Sequence, residues 1–111
     1  MQKEATETQD KKRLENTGIS QRVFREICTL SEKHHVTKVI LFGSRARGTH
    51  RKKSDLDPAI YGCHDFAEFS FAMQEKIWTL LQMDLIDMNE PVSAELISEI
   101  DRDGVVVYEK I

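Results

Sequence analysis

The chain has 111 residues, 40% hydrophobic and 32% charged, with a formal net charge of −3. One domain's worth of chain can close a modest two-layer core, and the apolar fraction is too high for a wholly disordered protein. No apolar run approaches the roughly 20 residues needed to cross a bilayer, so an integral membrane protein is excluded.

Residues 1–16 (MQKEATETQDKKRLEN) hold only Leu14 as a large aliphatic besides Met1. They read as a flexible N-terminal tail before a domain spanning 17–111. Without an apolar h-region they form no secretory signal, which places the protein in the cytoplasm. Ile19, Val23, Ile27 and Leu30 then recur at spacings of four, four and three, predicting an amphipathic helix over Ser20 to His34. Val36 to Phe42 is rich in β-branched residues and stopped by Gly43, and Ser54 to Tyr61 is stopped by Gly62; both read as strands. Asp65 is placed to cap a second helix, Phe66 to Leu81, whose stripe is Phe66, Phe69, Met73, Ile77 and Leu80. Met83 to Met88 reads as a third strand. Ser93 caps a last helix ended by Gly104, and Val105 to Tyr108 forms a short terminal strand. Three core strands plus that terminal strand, with helices between them, make an α+β layer.

Charge is unevenly spread. Arg45, Arg47, Arg51, Lys52 and Lys53 lie within nine residues that contain no acid, leaving −8 on the rest of the chain. One basic loop on an acidic body suits a local polyanion such as a nucleoside triphosphate better than duplex DNA, which wants a broad basic face. Cys28 and Cys63 fit no zinc or CxxC spacing, and the four histidines show no metal spacing either.

The chemistry gathers after the first strand. On a strand, residues two apart share a face, so Asp55-Leu56-Asp57 sets two carboxylates side by side with Leu56 in the opposite layer. Such a pair stays ionised when water or a hard cation offsets the repulsion. Asp84 and Asp87 have opposite parity; if Leu85 packs with the core, Asp84 faces the pair. Gly43-Ser44, between a strand and a short helical turn, allows close backbone approach and offers donors to phosphate oxygens. Arg45 and Arg47 then either meet a phosphate or lie on the surface. No Walker A motif is present.

Taken together, LFGSRARG, then Asp55-Leu56-Asp57 ten residues after Gly43-Ser44, then the acids of MDLID and the GVVVYEK ending resemble the minimal nucleotidyltransferases of the DNA polymerase β-like superfamily. The resemblance covers Val23 to Lys110. It implies a polymerase β-like fold, triphosphate binding at Gly43 and Ser44, and catalysis and metal binding by Asp55, Asp57 and Asp84; beside that corner the charges of Arg45 and Arg47 offer partners to the β- or γ-phosphate. Two Mg²⁺ ions and ATP as nucleotide donor follow from it. It also implies an antitoxin that adenylylates a HEPN-domain ribonuclease toxin or another protein acceptor, with homo- or hetero-oligomers both open. Two alternatives stand beside this. One is an inactive fold that neutralises a partner by contact, and the other is a small-molecule adenylyltransferase of the aminoglycoside type, whose additional acceptor-binding domain this sequence lacks. One departure from the pattern is Pro58, where the family carries an aliphatic residue. Proline removes a strand donor, predicting one broken sheet hydrogen bond with both acids still aligned.

Overall fold

The computed structural model describes residues 14–110. Helix α1 spans Gln21–Lys33, β1 Lys38–Phe42, the one-turn helix α2 Ser44–Arg47, and β2 Asp57–Tyr61. Then come α3 Phe66–Lys76, β3 Ile86–Asp87, α4 Ala94–Asp103 and β4 Val105–Glu109. The strands form one mixed sheet in the order β3-β2-β1-β4, with β1 antiparallel to β2 and β4, and β2 parallel to β3.

Alternation along the strands sorts the core into two layers. Val39 and Leu41 of β1, Leu56, Ile60 and Val107 join Val23, Ile27 and Leu30 of α1 and Phe69 and Met73 of α3 on one face. Phe42, Ala59 and Ile100, with Ile40, Tyr61, Ile86 and Leu96 packed around them, close the other face under α4. Ser20 and Ser93 cap α1 and α4 as their positions predict, accepting from the amides of Val23 and Leu96. Asp65 does not cap α3 with its side chain. Its carboxylate instead faces His34 Nδ1 at 3.2 Å, and that hydrogen bond is the main reason its pKa lies below the ordinary range.

Several boundaries differ from expectation: β1 begins at Lys38 rather than Val36, and β2 at Asp57 rather than Ser54, so Asp55 lies ahead of the strand. The second helix stops at Lys76 rather than Leu81, because Ile77 turns extended (φ −80°, ψ 131°). Ile77 is buried in its extended conformation, so the apolar 3/4 spacing runs past the true end of the helix, while Trp78 and Leu80 are exposed. The extended path carries Met83 to a parallel bridge with Leu56. The third strand is correspondingly shorter than Met83 to Met88. Its gap lies opposite Pro58: Leu56 N donates to Gln82 O and Asp84 N to Leu56 O, and the next rung needs a donor at residue 58. The ladder resumes at Ala59 with Ile86, and Met88 N donates to Ile60 O. Pro58 turns its missing donor toward β3, so the β1–β2 pairing from Lys38 with Tyr61 to Phe42 with Asp57 is intact. The terminal strand is a full sheet member along β1, and β3 is the short one.

The predicted tail, residues 1–16, lies outside the described residues as far as residue 13. Leu14 packs against the main core, and Thr17 is fully buried, its hydroxyl donating to Leu14 O at 2.6 Å.

Candidate active site

Pairing of Phe42 with Asp57 sets Gly43, the next residue, against the Asp57 side chain. Gly43 takes φ +82°, ψ −162°, open to glycine alone, and a Cβ there would run into Asp57 Oδ2 and stand 3.2 Å from its Cγ. Its carbonyl accepts from Arg47 N at 3.1 Å, closing α2, while the first amides of such a turn have no carbonyl partner behind them. Ser44, half-buried, opens that turn.

Asp57 shares the α4 face with Ala59, and Leu56 goes into the opposite layer, as the two-residue period requires. Asp84 stands beside it: the offset that pairs Met83 with Leu56 and Ile86 with Ala59 brings Asp84 level with Asp57. Asp87 lies beyond, its Oδ1 accepting from Asn89 N at 3.0 Å. Asp57 is half-buried, whereas Asp55 and Asp84 are exposed. Burial first, then the charges of Asp84, Asp55 and Glu99, raise the Asp57 pKa; Arg47 opposes them. Around this carboxylate the nearby acids outweigh the one arginine.

Hard oxygen donors of this kind suit Mg²⁺. Asp55, Asp57 and Asp84 therefore fit such an ion in charge and donor type, although among the described residues no three His, Cys, Asp or Glu side chains stand close enough to form a ready-made metal site.

The two arginines part company. Arg47 is exposed and pairs with Glu99 of α4 at 3.2 Å, next to Asp57. Arg45 corrects the expectation of a phosphate ligand. It is 2% exposed and its guanidinium donates to the main-chain carbonyls of Thr17, Ser54, Lys52 and Arg51. Desolvation lowers its pKa. Glu99 was not legible as a site residue, because in sequence it is one more acid on the polar side of a helix. Only the packing of α4 over the sheet, chiefly on β1, brings it to Asp57.

Comparison with known proteins bears on the family and the fold. Residues 26–111 match the family described as polymerase beta, nucleotidyltransferase. No curated protein matches the chain. Among solved structures, a toxin–antitoxin with AMP-PNP superposes with a TM-score of 0.63 at 22% identity, over 78% of this chain and 73% of that one. The toxin–antitoxin MntA-HepT superposes with a TM-score of 0.59 at 18% identity, over 82% and 74%. At those identities the likeness is one of fold. With the glycine–serine corner abutting Asp57 and the match running through every strand, the chain belongs to the polymerase β nucleotidyltransferase family.

Proposed function

We propose that this protein is a Mg²⁺-dependent nucleotidyltransferase of the cytoplasm, moving AMP from ATP onto a hydroxyl of a HEPN-domain toxin as the antitoxin of a pair. The observation that carries the reading is Asp57: half-buried, pressed on Gly43, its proton affinity raised by burial and by Asp84 and Asp55. A site that concentrates negative charge beside a glycine–serine corner is suited to a cation and a polyphosphate together. The fold it shares with toxin–antitoxin structures, one holding AMP-PNP, supports the donor and the partner.

Asp55, Asp57 and Asp84 would hold the metal, which when bound supplies phosphate charge neutralisation and a lowered hydroxyl pKa. Gly43 lets the main chain approach the triphosphate, Ser44 offers its hydroxyl, and Arg47 can leave Glu99 for a phosphate oxygen. No protein nucleophile is needed, since in-line displacement depends on positioning and charge.

Incubation with α-labelled ATP, Mg²⁺ and the product of the neighbouring gene tests the reading. Label on that partner, absent with Asp57→Asn, is the expected result. A partner held tightly by both forms and never labelled would overturn it and favour neutralisation by contact.

A further inference from the structure

A buried arginine with no carboxylate on it among the described residues needs an explanation, because desolvating a guanidinium is costly unless its donors are used. Arg45 uses them on main-chain carbonyls: Nη1 to Thr17 O at 2.8 Å, Nε to Ser54 O at 3.0 Å, and Nη2 to Lys52 O at 3.0 Å and Arg51 O at 3.4 Å. The loop it grips is already folded on itself, with Ser54 N donating to Arg51 O at 3.0 Å and Arg51 N to Ser54 Oγ at 2.8 Å. Ser54 immediately precedes Asp55. At its other end Arg45 belongs to α2, one residue after Ser44. Below it, Thr17 is locked by Ile19 N donating to its hydroxyl at 3.2 Å. Gly18 (φ +72°) is packed so tightly that a Cβ there would stand 2.6 Å from His50 Nε2 and 3.2 Å from Arg45 Nη1.

We propose that Arg45 is a positioning residue: its guanidinium fixes the start of the Asp55–Asp57 segment relative to the Gly43-Ser44 corner. The inference rests on the nucleotidyltransferase reading for what those carboxylates do. A planar fork can span carbonyls on both sides of the loop, and a lysine ammonium, one point of charge, cannot. Arg45 touches neither nucleotide nor metal and acts through Ser54 and Asp55.

Three measurements on wild type, Arg45→Lys and Gly18→Ala test it: amide exchange, affinity for a non-hydrolysable ATP analogue without metal, and Mn²⁺ affinity by EPR with the analogue bound. In Arg45→Lys, exchange at Ser54 should rise while Val39 and Ile60 stay protected. Mn²⁺ affinity should fall about 10-fold or more, the range typical of residues that orient ligands, with analogue affinity changing less than about 2-fold. Gly18→Ala, which crowds the clamp without touching the site, should shift both in the same direction by less. Analogue affinity falling as much as Mn²⁺ affinity would make Arg45 a phosphate ligand and overturn the proposal. Faster Ser54 exchange with unchanged Mn²⁺ affinity would also overturn it, leaving a loop brace alone. Wild type that binds neither probe would instead overturn the transferase reading and this inference with it.

Discussion

Replacing Gly43 by alanine should damage fold and site together, by amounts that can be separated. The backbone at φ +82°, ψ −162° costs a side chain about 1–3 kcal/mol. The new methyl would also displace the Asp57 carboxylate, a crowding penalty of about 1–3 kcal/mol more. At about 4 °C per kcal/mol for a chain of this length, the melting temperature should fall by roughly 8 to 24 °C. Gly48→Ala is the control: Gly48 also has positive φ (+79°), but a Cβ there meets nothing within 4 Å. It should lose about 1–2 kcal/mol and no activity. Thermal melting followed by labelling of the partner at a temperature where all forms are folded reads both effects. Gly43→Ala should lose at least about 10²-fold in rate, the usual cost of moving a reacting group by an ångström. If it melts with Gly48→Ala and labels at the wild-type rate, the close approach of Gly43 to Asp57 has no part in function.

Asp57→Asn should label nothing, yet melt higher than wild type at pH 7 without divalent cation. Because the folded carboxyl keeps its proton to higher pH than the unfolded one, stability is lost as pH rises through the window above the ordinary carboxylate value, and asparagine removes that loss. Glu99→Gln removes a negative charge beside Asp57 and releases Arg47, so the KM for ATP should fall, while stability changes by no more than about 0.5 kcal/mol for so exposed a pair; a raised KM would show that Glu99 aims Arg47 instead. Cys63 is 2% exposed and its thiol is pushed up to about 11, chiefly by burial, so a thiol reagent at pH 8 should label Cys28 well before Cys63. The unfolded thiol ionises first, so Cys63 should contribute a loss of roughly 2 to 3 kcal/mol as pH rises from 9 to 11, which Cys63→Ala should lack in denaturant titrations.

Much of this was visible in local sequence because the signals were local. Caps at Ser20 and Ser93 and the stop at Gly43 depend on neighbours within a few residues. The parity argument for Asp84 over Asp87 needed only Leu85 to side with the core, and Leu85 packs against it. What escaped was set across the sheet. Ile77 satisfies a helical stripe and an extended path equally, so the end of α3 could not be read from spacing. Pro58 foretold a lost hydrogen bond, but only the arrangement of strands shows that the loss faces β3 and spares β1. Arg45 and Arg47 are alike in sequence; one is drawn inward by the carbonyls of residues 17, 51, 52 and 54, the other outward to Glu99.

The most direct measurement is a crystal structure of this protein with Mg²⁺ and a non-hydrolysable ATP analogue. The triphosphate should lie on Gly43 and Ser44, with Asp55, Asp57 and Asp84 drawn onto the metal and Arg45 still buried in its loop. A nucleotide bound elsewhere, or Asp84 left off the metal while Asp55 and Asp57 hold it, would contradict the account.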